Sequence, residues 1–190
     1  DNTKGAWTEL VDATPHEASW IIPQVETKEA SSYPNHLIDL AIGAASSEQV
    51  IIENMARAGN SQLYMGSDWL CPVPIPAGTR IAGRFQADDR ADLEVAVAVI
   101  LGTGGFLPSS PLGIVDTYGA DTGDSGGTPV TAGSSHTKGA WAQIAASTTR
   151  PIRHLLVAFT NVTHGGSDDA IIDVAVGAAA SEVVIVSDVH

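Results

Sequence analysis

Short runs of alternating apolar and polar residues, each closed by a cluster of turn formers, make up most of this chain. In "TRIAGRF", Ile81 and Phe85 fall on one side and Arg80 and Arg84 on the other, the period of a half-buried strand. "LEVAVAVIL", residues 93–101, sets Val95, Val97 and Val99 opposite Ala96, Ala98 and Ile100. Apolar on both sides, it predicts a central strand covered on both faces. The same reading places strands at 7–11, 20–25, 37–42, 49–53, 79–86 and 93–101. Thr14-Pro15, Tyr33-Pro34-Asn35, Ala58-Gly59-Asn60, Pro76-Ala77-Gly78 and Asp88-Asp89 punctuate them. No stretch of ten or more residues carries a persuasive helical period. "SEQVIIENMARA" comes nearest, and its later counterpart "SEVVIVSDV" is β-rich. The pattern predicts an all-β protein of antiparallel sandwich or jelly-roll type, with domains of about 100 residues.

The chain also repeats itself. "NTKGAWTELVDAT" from Asn2 returns as "HTKGAWAQIAAST" from His136, and "LIDLAIGAASSEQVII" from Leu37 as "IIDVAVGAAASEVVIV" from Ile171. Both displacements are 134 residues (136 − 2 and 171 − 37), and 16 of the 54 positions in 2–55 match those in 136–189. Conserved length with drifting connections is the mark of a duplicated domain. The predicted organisation is a first β-sandwich domain over 1–105, a linker over 106–113, and an incomplete second copy over 114–190. Residues 2–55 and 136–189 should then superpose strand for strand. The counterpart of 57–101 would lie beyond His190, so the chain reads as part of a longer tandem array. A copy without that counterpart is not expected to stand with the apolar faces of 171–176 and 183–186 open to water, so either further chain or a neighbouring subunit is expected to supply the missing strands.

Composition narrows the function classes. An apolar fraction of 44% supports a packed core. The net charge of −13, with nine Lys and Arg, offers no basic face for nucleic acid. No apolar run reaches the length of a membrane span, and no basic-then-apolar leader opens the chain. Cys71 is the single cysteine, which rules out an internal disulfide and a cysteine-rich zinc site.

"YGADTGDSGGTPV", residues 118–130, overlays two protease signatures. Gly123-Asp124-Ser125-Gly126-Gly127 matches the surroundings of a nucleophilic serine. Such a serine needs a histidine base and a carboxylate behind it, and neither His16 in "TPHEA" nor His36 in "PNHLI" has a fitting context. Asp121-Thr122-Gly123 matches the aspartic-protease triplet, which needs a second copy and a preceding apolar strand; neither is present. The stretch therefore reads as a turn-rich lead-in, with Ser125 exposed or loosely packed and no catalytic residue.

Other candidates also read as structural. Asp116, Asp121 and Asp124 supply hard oxygen donors for calcium, but at no recognised loop spacing, so no metal or cofactor is expected. His154 replaces Trp20 in the repeat and reads as a strand cap. Asp39 and Asp173, like Glu48 and Glu182, recur once per copy, as hydrogen-bonding or turn-fixing positions do; a glycosidase pair would not. Trp7 and Trp141, each in Thr-Lys-Gly-Ala-Trp, are expected in the cores, the alternative being a sugar-stacking surface.

Taken together, "NTKGAWTEL…LIDLAIGAASSEQVII…PVPIPAGTRIAGRFQ" resembles domains in virion proteins of tailed bacteriophages. There a Thr-Lys-Gly-(Ala/Ser)-Trp strand precedes a Gly-Ala-Ala-x-Ser-Glu-Gln segment and an Ile-Pro-Ala-Gly-Thr-Arg strand. The resemblance covers most of 1–101 and 114–189, and the later block stops before its Pro-Ala-Gly-Thr-Arg strand. It implies a structural or adhesive role in a capsid decoration, head fibre or tail fibre, as a multimer, and no catalytic residues. Its expected partners are other virion proteins, copies of itself and a host-surface glycan, without nucleic acid or membrane insertion. The alternative is a carbohydrate-binding β-sandwich module.

Overall fold

A computed structural model describes residues 2–27, 35–57, 69–88, 95–103, 115–134, 137–152, 155–157 and 171–189. The fold is all-β, and the described residues contain no helix. The predicted linker at 106–113, His154 and the turns at 33–34 and 58–60 lie outside the described residues.

Four antiparallel strands form the first layer, in the order β1 (Thr8–Val11), β5 (Ile81–Ala87), β3 (His36–Ile42) and β4 (Gln49–Arg57). The stretch nearest to a helical period is thus strand β4. β3 is the inner strand, bonded on both sides, and Leu37, Ile38, Leu40 and Ala41 are fully buried. Ile38 and Leu40 point into the core with Ile51, Ile52, Met55 and Ile81. Full burial of an aliphatic side chain of this size contributes about 1.5–3 kcal/mol.

The facing layer is β2 (Trp20–Thr27) paired in unbroken register with β6 (Val95–Gly102). Ile21 and Val25 of β2 enter the core, and Val95, Val97, Val99 and Leu101 of β6 pack against it. Two isolated bridges, Ile21 with Cys71 and Ala18 with Ile75, add the segment 71–75 to β2. Pro23 lacks the N–H that would continue this edge beyond Ile21, and Pro72 and Pro74 remove donors from the far side of the added segment. The edge is closed by proline. Burial in the core pushes the Cys71 thiol up to about 11.

β6 corrects the expectation of a strand covered on both faces. Ala96, Ala98 and Ile100 are exposed, Ile100 by 43%. Small alanines tolerate either side, so an apolar pattern on both faces did not establish cover on both. At the end of the ladder Trp20 lies across Gly102, so that a Cβ added there would fall inside the indole ring. Gly102→Ala is therefore expected to displace Trp20 and destabilise the chain by about 1–3 kcal/mol, the usual cost of overpacking. Equilibrium unfolding and a shifted tryptophan emission maximum would register it; an unchanged spectrum with unchanged stability would refute this packing.

In the later block, β9 (Ile172–Val176) pairs with β10 (Val183–Val189) in a two-stranded sheet. Its register repeats that of β3 and β4 pair for pair. Ile38↔Met55, Leu40↔Ile52, Ala41↔Val50 and Ile42↔Gln49 become Ile172↔Val189, Val174↔Val186, Ala175↔Val184 and Val176↔Val183. The connecting turns match as well. Gly43 and Gly177 have φ of 107° and 124°, Ser46 and Ala180 have φ of 67° and 64°, and Ser47 and Ser181 donate to Ala44 and Ala178.

The repetition stops at β1. Residues 142–145, its counterparts, form no strand, although the preceding Thr-Lys-Gly-Ala-Trp is identical. Among the described strands β1 pairs with β5 alone, and none stands beside 142–145. The expectation of superposition strand for strand fails there, because a strand needs a ladder as well as a sequence.

Candidate functional site

Two clusters gather the polar residues singled out in the sequence. The first surrounds Asp39, whose side chain is 1% exposed on the outer side of the first sheet. Asp39 stands opposite Arg84 in the β3–β5 register, and its Oδ2 accepts from Arg84 Nε at 2.8 Å. Its Oδ1 accepts from Lys4 Nζ at 2.6 Å and from the Asn54 backbone N–H at 2.8 Å. That N–H is available because β4 bulges, two residues facing Asp39 between Ile38↔Met55 and Leu40↔Ile52. Asn54 takes φ 51°, a left-handed conformation that asparagine tolerates. The Arg84 guanidinium also lies 4.3 Å over the Trp7 ring.

The later block rebuilds this arrangement. Lys138 Nζ donates to Asp173 Oδ1 at 2.6 Å, and the Asp188 N–H donates to the same oxygen at 2.9 Å, with φ 55° at Asp188. The surroundings differ, and the two lysines respond in opposite directions. Burial pulls the Lys4 ammonium below its ordinary range, against the pull of Asp39. Lys138 is half exposed, and its bonds to Asp173 and Asp188 hold it above that range. Lys138 and the Asp188 amide in turn hold the Asp173 carboxyl below the usual carboxylate range.

The second cluster is the stretch 115–128. Val115 bridges to Ile52 in parallel and donates to the Ile51 carbonyl at 3.0 Å, and β7 (Ala120–Asp121) and β8 (Gly126–Gly127) lie against β4. Ser125 closes the turn between them with φ 59° and is fully buried. Its hydroxyl donates to Asn2 Oδ1 at 2.6 Å and accepts from Gln86 Nε2 at 3.1 Å. Gln86 also donates to the Thr122 carbonyl at 2.9 Å. The expectation that Ser125 is exposed or loosely packed is therefore overturned: polar partners from both ends of the first unit seat it. The hydroxyl proton is donated to an amide oxygen, a group too weakly basic to take it up.

On its other side the same stretch reaches the later block. Asp116 pairs with Arg150 at 2.8 Å, and the Tyr118 hydroxyl accepts from the Thr149 N–H at 3.0 Å. Residues 115–128 are thus a clasp between the two blocks. Ser125→Ala is expected to cost about 1–2 kcal/mol through the stranded Asn2 and Gln86 groups, measured by urea unfolding. The native protein should stay unlabelled by a fluorophosphonate probe. Labelling at Ser125 would overturn the assignment.

The remaining candidates are dispersed. Asp121 Oδ1 accepts from Gly123 N–H and Asp124 Oδ1 from Gly126 N–H, so both carboxylates are folded onto their own turns, while Asp116 pairs with Arg150. No group of metal-ligating residues occurs among the described residues. Glu48 pairs with Arg80, which also holds Glu9 at 2.8 Å. Backbone N–H groups at Glu48 and Ser46, with Arg80, keep the Glu48 carboxyl below its usual range. Glu182 accepts from the Ala180 N–H. His16 is exposed, and His36 is buried at the start of β3. The tryptophans depart from the expected core position, since Trp7 is half-buried under Arg84 and Trp141 is 49% exposed. Sequence reasoning missed Asn2, Lys4, Asn54, Arg84 and Gln86. The available signals were the recurrence of Lys4 as Lys138 and the matched Asn54 and Asp188, residue types that accept a left-handed backbone.

Against known protein families, curated proteins and solved structures, the chain has no match.

Proposed function

We propose that this chain is a non-catalytic structural protein on the surface of a tailed-bacteriophage virion, built from tandem β-sandwich units. One observation carries the structural part of this reading. The lysine–aspartate–bulge arrangement returns 134 residues later with distances that agree within 0.1 Å (2.6 and 2.6, 2.8 and 2.9). Charged groups that recur once per unit, each bound to backbone or to its own sheet, fit a role in the scaffold. The clasp at 115–128 fits the same role, since it fastens one block of the chain to the next.

The virion assignment rests on the motif resemblance, and it implies capsid or tail proteins and further copies of the chain as partners. A mass-spectrometric inventory of purified virions from the source sample should contain peptides of this chain at structural stoichiometry. Their presence only among soluble lysate proteins would overturn the assignment.

A carbohydrate-binding module is the second reading, favoured by the exposure of Trp141. It requires glycan-array binding that Trp141→Ala abolishes. On the scaffold reading that array stays blank, or any signal survives the substitution.

A further inference from the structure

The two hairpins share register, turn and ion pair but differ in cover. In the first unit β5 lies along the free side of β3, and β3 is buried. In the later block no described strand pairs with the corresponding side of β9. Ile171 and Val176 are exposed there, and so are Val183, Val184 and Ile185 on the β10 side, Val183 by 63%.

We propose that the open side of β9 is an acceptor site for one extended strand with the chemistry of β5, entering antiparallel between β9 and residues 142–145. The first unit specifies the register. Ile38↔Phe85, Asp39↔Arg84, Leu40↔Gly83, Ala41↔Ala82 and Ile42↔Ile81 transpose to phenylalanine opposite Ile172, arginine opposite Asp173, glycine opposite Val174, alanine opposite Ala175 and isoleucine opposite Val176.

Three observations single out this occupant. Asp173 Oδ1 is already held by Lys138 and the Asp188 amide, as Asp39 Oδ1 is by Lys4 and Asn54, while the arginine that engages Asp39 Oδ2 comes from β5. Trp141 occupies the repeat position of Trp7, which lies under that arginine in the first unit, and Trp141 is half exposed. Residues 142–145, counterparts of a strand whose ladder partner is β5, are without strand structure. An acidic group, an aromatic face and an unladdered segment all answer to one arginine-bearing strand. Main-chain bonds along β9 would supply affinity, and the arginine would fix the register. The inference is independent of the virion reading.

The probe is a synthetic peptide, AGTRIAGRFQAD, the sequence of residues 77–88, titrated into the isotopically labelled 190-residue chain and followed by amide NMR. Saturable shifts should centre on 172–176, Lys138 and Trp141, with 142–145 acquiring strand-like shifts. A peptide carrying Arg84→Ala should bind about tenfold more weakly or worse, the scale of one charge-assisted bond. Because this variant lies in the peptide, it leaves the protein's folding untouched. Asp173→Asn in the protein should abolish the difference between the two peptides. Shifts confined to 36–42, equal binding by a scrambled peptide, indifference to the arginine, or no shift at millimolar peptide would each overturn the proposal.

Discussion

Replacing Asp39 by alanine is expected to lower the unfolding free energy by about 3 kcal/mol, at the low end of the range for breaking a buried ion pair. Asp39 is 1% exposed and serves three donors from three segments, namely Lys4, Arg84 of β5 and the Asn54 amide in the β4 bulge. Its removal strands a buried N–H and a mostly buried ammonium. Arg84 remains about a third exposed and can be rehydrated, which moderates the loss. Asp39→Asn should fall between, since the amide oxygen still accepts from Asn54 while the charge is gone. Urea unfolding should show a lower midpoint with an unchanged slope, the sign of altered stability without an altered unfolded state. Asp173→Ala, the same substitution in the later block, should leave the first unit's transition where it was. Equal effects from the two aspartates would contradict the difference in cover between the hairpins.

Leu40→Ala should cost about 3 kcal/mol as well, by a different route. Leu40 is fully buried, and its Cδ2 lies 3.4 Å from where a Cβ on Gly83 would stand, with Leu10 Cδ1 at 3.2 Å. The side chain is wedged between β5 and the facing layer, so truncation removes transfer free energy and leaves a cavity as well. Val174 holds the same register position on β9 but is only half-buried. Val174→Ala should therefore shift the unfolding curve by a small fraction of the Leu40 effect. Adding the β5-type peptide should enlarge the Val174 effect, because burial is what gives the position its weight.

Several elements were legible because their information is local. The period of "TRIAGRF", the turn at Pro76-Ala77-Gly78 and the unbroken "VAVAVIL" placed β5 and β6 within two residues. The identical blocks around Lys4 and Lys138 exposed the repeat before any contact was known. What was not legible depends on residues distant in sequence. Ser125 read as a loop residue because its partners, Asn2 and Gln86, lie 123 and 39 positions away. Trp7 read as core because an aromatic opening a strand is usually buried, whereas an arginine from β5 covers it instead. Residues 142–145 read as a strand because propensity says nothing about whether a ladder partner stands alongside. β6 read as central because alanine is compatible with either a buried or an exposed face.

The measurement that bears hardest on this account is residue-resolved hydrogen exchange of the chain alone, comparing β3 with β9. The two strands share register, turn geometry and a lysine-held aspartate, so the local hairpin should be the same in solution. Among the described residues, β3 has a strand on its second side and β9 has none. Amides of β3 should exchange only with unfolding of the first unit, whereas those of β9 should exchange on the order of a thousandfold faster through local opening. The turns at 43–47 and 177–181 should exchange alike. Equal protection of the two strands would mean that β9 is already covered, and the account of an open β5-type acceptor would fail.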